Sequence, residues 1–380
     1  MLADSKTFNT EDTEKRGEII SGISILFGGN SPSSLCSFLR VLCVKSPSAF
    51  ASPPRVVPLN RDSDDVFPRG ARYHGKMGKE FKAGFVAIVG RPNAGKSTLV
   101  NRLVGEKVAI VTSRPQTTRN RIQGIVNREN AQIVLIDTPG LHRPESALGR
   151  QMMGEVDAAM DAVDIVALLL DASEEFGIGD RRAVERVLRF EGTRFLLLNK
   201  IDRLPRAELL PLIENVSKMG TFHEIVPISA LKGDGVERVL EKFIEYIPAG
   251  LPQFPVDQYT DQPERFLAAE LVREKAMEAT RQEVPHAVAV ICDAFEETDK
   301  LIRIRATIYV DREGQKGILI GSGGGTLKQI GTLARKELET ILGTKIFLEL
   351  YVKVLKNWRE NPQIVRQLDW HWQLDQMAGE

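Results

Sequence analysis

Short apolar runs separated by polar turns dominate the middle of the chain. Residues 85–89, 133–136, 165–170, 195–198 and 226–228 read as buried strands, with 122–127 as one more beside them. Between the runs, 97–103 sets Leu99, Val100 and Leu103 on one face at helical spacing, and 180–188 reads as another helix. Strands alternating with helices predict an α/β domain over residues 80–250, a mostly parallel sheet with helices on both faces. Past it the rhythm changes. Residues 264–282 carry Phe266, Leu267, Leu271, Val272, Ala276 and Ala279 at helical spacing. Residues 287–292 and 301–310 read as strands joined by an acidic turn at 296–299. A helix over 326–342 follows, then a strand over 345–355 with Ile346, Leu348, Leu350, Val352 and Val354 on one face. Helix–strand–strand–helix–strand predicts a smaller α+β domain over 264–360. Pro252, Pro255 and Pro263 mark 251–263 as a semi-rigid linker and boundary, and 361–380 is left as a tail.

Residues 1–79 lack a sustained period and carry Ser/Pro-rich pieces. The acids Asp4, Glu11, Asp12, Glu14 and Glu18 argue against an organelle transit peptide, and no secretory signal pattern is present. A disordered arm, or a start assigned too early with Met77 as the alternative, fits better than a targeting segment.

Composition narrows little. Lys+Arg and Asp+Glu both total 51, so any basic surface must be local. Cys36, Cys43 and Cys292 lack metal-ligand spacing and fit a reducing compartment. No apolar run reaches the ~18 residues a bilayer-spanning helix needs.

The chemistry sits at strand ends. Gly90-Arg91-Pro92-Asn93-Ala94-Gly95-Lys96-Ser97, with Thr98 following, fits the GxxxxGK[ST] phosphate loop between a strand and a helix. Backbone N–H groups and the helix N-terminus would surround the phosphates. Lys96 would reach the β- and γ-phosphates, and Ser97 would hold Mg²⁺. In the polar stretch 113–119, a threonine can join the Mg²⁺ shell only while a γ-phosphate draws the loop in, which makes a switch. Thr118 is the first choice and Thr117 the second. Asp137-Thr138-Pro139-Gly140 ends the next strand. Asp137 would hold the Mg²⁺ shell, and the Gly140 N–H would meet the γ-phosphate. Position 141 is Leu, which cannot orient a water, and no general base is assigned. Asn199-Lys200-Ile201-Asp202 decides the base. The Asp202 carboxylate can accept from guanine N1–H and the exocyclic amine, whereas adenine would leave it desolvated and unpaired. Ser229-Ala230-Leu231 would close over the base. Five short motifs in order, each at a strand end, imply GTP or GDP with Mg²⁺.

This order of motifs resembles the TrmE–Era branch of the translation-factor-related GTPases, which also carries a hydrophobic residue after DTPG. The resemblance implies a P-loop GTPase domain that hydrolyses GTP to GDP and phosphate. It also makes Asn93 the candidate for binding a potassium ion, against a role confined to closing the loop.

In the second half, Gly321-Ser322-Gly323-Gly324 is a GXXG loop at a helix start, where bare glycines let an RNA backbone approach. Residues 312–359 hold nine Lys/Arg against four Asp/Glu, net +5 in a neutral chain. The half resembles a type II KH domain, the variant that begins with a helix. From about Gly84 to Trp358 the chain resembles the KH-bearing members of the branch. That implies a monomer binding the 3′ end of small-subunit ribosomal RNA and the 30S subunit. The implied compartment is the cytoplasm, with peripheral association at the inner face of the cell membrane. The loop's variable pair, Ser322-Gly323, lacks a lysine, so Lys316 and Lys328 are expected to supply charge. Trp370, His371 and Trp372 are expected to pack back onto the domain rather than stack on bases. The competing expectations are an RNA-responsive nucleotide binder with little turnover, and a tRNA-modifying or double-GTPase relative. One nucleotide domain and no C-terminal reactive cysteine motif disfavour the last.

Overall fold

The computed structural model describes residues 80–369 except 282 and 299. The 1–79 segment and Trp370, His371 and Trp372 lie outside the described residues.

The first sheet has six strands in the order β2-β3-β1-β4-β5-β6. They are β1 (Lys82–Gly90), β2 (Ile122–Arg128), β3 (Ala131–Asp137), β4 (Ile165–Asp171), β5 (Thr193–Asn199) and β6 (Glu224–Pro227). Only β2 runs antiparallel, paired with β3. Strands β3, β1, β4 and β5 are near-continuous apolar runs because helices cover both of their faces. One face packs α1 (Lys96–Val104) and α5 (Val236–Tyr246) through Leu99, Leu103, Val239, Leu240 and Phe243. The other packs α2 (Ala147–Asp161), α3 (Ile178–Leu188) and α4 (Arg206–Ser217) through Met152, Val156, Val184, Val187 and Val216. The chain leaves β1 for β3 on one side and β4 on the other. This is the switch point of an open α/β sheet, where ligands sit at the carboxyl ends of the strands.

Residues 251–263 do not hang free between the domains. They are strapped along the β2 edge. Ile125 N–H donates to Tyr259 O (2.8 Å), Thr260 Oγ1 to Gln123 O (2.7 Å), and Gln132 Nε2 to Phe254 O (2.8 Å). This strap supplies partners to an edge that would otherwise present unpaired backbone groups.

The second sheet is β7 (Ala289–Glu297), β8 (Ile302–Val310) and β9 (Ile346–Val354), in that order. β7 and β8 pair antiparallel, and β8 and β9 parallel. Helices α6 (Glu264–Ala279) and α9 (Gly325–Leu342) cover one face, with α7 (Val284–Ala287) and α8 (Glu313–Ile320) at its end. Three expectations shift here. β7 runs through Glu296 and Glu297, so the turn is later, closed by Thr298 N–H to Leu301 O at 3.1 Å. α6 ends at Ala279, which is exposed, three residues before the expected 282, where the Thr280 hydroxyl bonds Ala276 O at 2.7 Å. Helix α8 was not foreseen: Gly314 and Gly317 weaken its signal, but Gln315 Oε1 caps it by accepting from the N–H groups of Asp311 and Arg312.

The domains meet over a buried seam. Trp358 is fully buried in the core beneath α2, its indole N–H donating to Ala287 O at 2.9 Å, and Val365 of α10 (Pro362–Gln367) joins it. Ile110, from the loop after α1, packs in turn among Leu267, Leu271 and Leu338 of the second domain.

Candidate nucleotide and RNA sites

Strand β1 delivers the loop 90–97 to the carboxyl end of the sheet, and α1 begins at Lys96. Two glycines are required there. A Cβ on Gly90 would lie 2.3 Å from Leu169 O, and one on Gly95, at φ +100°, 2.3 Å from the Asn199 amide. The loop edges a cavity of about 610 Å³, within the range of small-molecule sites. Pro92, Asn93, Gly95, Lys96, Ser97 and Thr98 line it, together with Thr117, Thr118, Gly140, Asn199, Lys200, Asp202, Ala230 and Leu231.

At the phosphate end, Lys96 Nζ donates to the carbonyls of Gly90 (3.3 Å) and Arg91 (3.1 Å). Burial pulls its pKa down to about 8, against the opposing pull of Asp137. Ser97 Oγ lies 2.6 Å from Asp137 Oδ2 and 2.8 Å from Thr118 Oγ1, and Thr118 Oγ1 lies 3.1 Å from the same carboxylate oxygen. Asp137 is fully buried, and burial pushes its carboxyl up while Lys96 and the two hydroxyls pull it down. Its Oδ1 has no hydrogen-bond partner. Two hydroxyls gathered on one oxygen of a buried carboxylate, whose other oxygen has no partner, fit a Mg²⁺ shell.

The two threonines are placed differently. Thr118 turns into this cluster; Thr117 Oγ1 instead bonds Arg114 O and Thr112 Oγ1, both at 2.7 Å. Gly140 stands against Pro92, where a Cβ would meet the Pro92 N at 2.7 Å. Thr138 Oγ1 bonds Ile88 O at 2.8 Å, Pro139 is buried, and Leu141 packs into the core with its N–H given to Gly90 O at 2.8 Å. These three brace the site without lining it. Arg91 also points away, paired with Asp180 at 2.9 Å.

At the base end, Asn199 ties two loops together: its Nδ2 donates to Ala94 O (2.8 Å) and its Oδ1 accepts from Ala230 N–H (2.9 Å). Ser229 Oγ donates to Asp202 Oδ1 at 2.6 Å, and that bond leads in holding the Asp202 carboxyl below its usual range. Lys200, in the left-handed region at φ 66°, pairs with Asp171, and Ile201 turns into the core.

Sequence reasoning missed a second wall. Ile110, Val111, Thr112, Ser113, Arg114 and Gln116 line the cavity, as do Glu174 and Arg203. Met277 and Glu278 reach it from α6 of the second domain. No local signal marks these two. The same helix holds the switch stretch: Arg273 donates to Thr117 O, and Val111 N–H donates to Glu274 Oε1 at 2.9 Å.

The GXXG loop joins α8 to α9. Gly321, Gly323 and Gly324 all have positive φ, 71°, 56° and 78°. A Cβ on Gly321 would strike Thr326 Oγ1 at 2.2 Å, whereas Gly323 and Gly324 face open space. That is the bareness an approaching phosphate backbone needs, and Ser322 is exposed beside it. A cavity of about 400 Å³ runs from Gly324 along Lys328, Gly331 and Arg335 of α9 to Leu348 and Leu350 of β9. Lys328 lies in this groove; Lys316, half-buried on α8, does not line it.

A phosphate loop, a magnesium-fitting oxygen cluster and a carboxylate-bearing base site, joined to a GXXG groove on an αββαβ frame, define a P-loop GTPase carrying a KH domain. Residues 85–200 match the family model of the 50S ribosome-binding GTPases, and 283–359 match that of the KH domain. Two solved structures are similar over most of the chain. Era in complex with MgGDPNP and nucleotides 1506–1542 of 16S ribosomal RNA is 42% identical with a TM-score of 0.74, the match covering 76% of this chain and 98% of that one. A point variant of Aquifex aeolicus Era bound to GDP and AlF4⁻ is likewise 42% identical at 0.74, covering 76% and 99%. This chain belongs to the Era family.

Proposed function

We propose that this protein hydrolyses GTP with Mg²⁺ and, through its KH domain, grips single-stranded RNA at the 3′ end of the small-subunit ribosomal RNA during 30S assembly. One observation carries the coupling of the two activities. Arg273, on the first helix of the KH domain, holds the carbonyl of Thr117, the residue next to the switch threonine Thr118. Ser97 and Thr118 would hold the Mg²⁺, with Asp137 behind them; the ion neutralises phosphate charge when bound. Lys96 would exchange its two loop carbonyls for phosphate oxygens, and Asp202 would read guanine while Ser229 fixes its carboxylate. Asn93 Nδ2 donates to Ser113 O at 3.2 Å, which leaves its Oδ1 as an acceptor for potassium beside the switch stretch. The Era complex with MgGDPNP and 16S RNA nucleotides supports both ligands.

The test is GTP turnover in potassium and in sodium buffer, with and without a single-stranded RNA matching the small-subunit 3′ end. RNA should stimulate turnover, Gly323→Asp should abolish the stimulation by setting a carboxylate against phosphate, and potassium should outperform sodium. Turnover indifferent to the RNA would separate the two domains' activities, and equal rates in both salts would confine Asn93 to closing the loop.

A further inference from the structure

Helices α6 and α9 cover only one face of the β7–β8–β9 sheet. On the other face, the parallel β8–β9 register sets Arg303 beside Phe347, Arg305 beside Glu349 and Thr307 beside Tyr351. The end of this face nearest Tyr309 and Ala289 is covered, packed with the core beneath α2. The opposite end is open. Phe347 and Tyr351 are 53% and 47% exposed, Arg303 and Arg305 are exposed beside them, and Lys353, in register with Tyr309, is exposed at the margin of the covered end. Among the described residues, no ion pair engages those three cations.

We infer that this open face is a second single-stranded RNA platform, on which Phe347 and Tyr351 stack bases while Arg303, Arg305 and Lys353 meet phosphates. The inference rests on the KH reading of the GXXG groove. Continuity with the groove favours RNA as the occupant; the cations stand among carboxylates on the same face, Glu296 opposite Arg303, Glu349 opposite Arg305, and Asp293, which accepts from Thr307 Oγ1 at 2.7 Å. β9 is an edge strand with Leu348 and Leu350 in the groove wall, and Phe347 and Tyr351 alternate with them onto the opposite face. One strand therefore separates groove from platform, and a chain leaving the groove needs only to fold over an unpaired edge. Two aromatics four residues apart stand about 13 Å from each other along the strand. Unpaired cations flanking exposed rings are what a sequence-tolerant single-strand surface requires. Glu349, between the rings, selects against a phosphate there and leaves the phosphate path to the β8 arginines.

The test compares a synthetic ten-nucleotide single-stranded RNA with a five-nucleotide piece of it that fills the groove alone. In fluorescence anisotropy, Phe347→Ser with Tyr351→Ser should weaken binding of the long RNA at least tenfold and leave the short one unchanged. Phe347→Tyr with Tyr351→Phe should restore it. Wild-type affinity of the double serine variant for the long RNA overturns the platform and leaves the patch to a protein partner; equal loss on both lengths also overturns it. A Gly323→Asp chain that binds the short RNA as well as wild type would instead sink the groove reading, so the two failures are distinguishable.

Discussion

Under the proposed function Asp202 would read the base, and its carboxylate is already held by a neighbour. The Ser229 hydroxyl fixes Oδ1 at 2.6 Å, and the same hydroxyl accepts from Lys232 N–H at 3.1 Å, so the closing loop and the reading carboxylate are set together. Asp202→Asn should weaken GTP about 10- to 100-fold, since a charged acceptor for two guanine donors is lost. It should also let xanthosine triphosphate compete, because the new amide can donate to the 2-oxo group. Competition against labelled GTP measures both; unchanged preference for GTP would remove Asp202 from base readout. At this scale most of the site was legible, because Gly90, Lys96, Ser97, Asp137, Asn199 and Asp202 are tied to local spacing at strand ends. Thr118 ranks above Thr117 in the sequence, but only the fold shows which hydroxyl reaches Asp137. Leu141 offered no catalytic group in the sequence, and in the structure it is half-buried against the core.

At the scale of elements, α6 and α9 hold the loop after α1 through four charges. Lys107 pairs with Glu274 and Glu337, and Lys275 pairs with the same two carboxylates, each at 2.8 Å. Burial alone would raise the Glu337 carboxyl, but the bonds from Lys107 and Lys275 outweigh it and hold it below its ordinary 4.5. A depressed carboxyl stabilises the fold above its ordinary pKa and loses that contribution as pH falls through the folded value. Glu337→Gln should therefore lower the thermal midpoint at pH 7 and flatten its decline between about pH 5 and pH 3. Parallel midpoint curves for wild type and variant would show the cluster to be uncoupled from stability. The elements themselves were legible where apolar periodicity was strong, as in β1, β3, β4, β5 and α9. Helix α8 was not, because Gly314 and Gly317 depress helix propensity while its cap and its buried Leu319 come from tertiary context. The 251–263 segment shows the converse: its prolines signalled stiffness, but only the folded β2 edge shows what they are stiff against.

Taken as a whole molecule, the chain joins its domains through the residue that follows Thr118, and the proposed coupling would run through it. Arg119, two places past Thr117, is buried in the seam, donating to Val288 O at 2.7 Å and His286 O at 3.4 Å and lying 5.3 Å over the Trp358 ring. Burial and the neighbouring Arg273 charge pull its pKa down, and the seam tolerates it because carbonyls and an indole face surround it. A shift of Thr118 toward or away from a nucleotide-bound metal would therefore pull on a guanidinium bonded to the KH domain. A planar fork is required, since an ammonium cannot reach two carbonyls and lie flat on an indole at once. Arg119→Lys should keep GTP affinity within a few-fold, because no contact to the nucleotide cavity is lost. The same change should reduce the RNA stimulation of turnover toward unity. Arg119→Ala should do so as well and lower the thermal midpoint, as the Val288 carbonyl is left buried and unpaired. Turnover assays with saturating RNA measure the ratio of stimulated to basal rate. A ratio equal to wild type in both variants would move the coupling from Arg119 to the other grip on the switch stretch, where Arg273 holds Thr117 and Glu274 holds Val111.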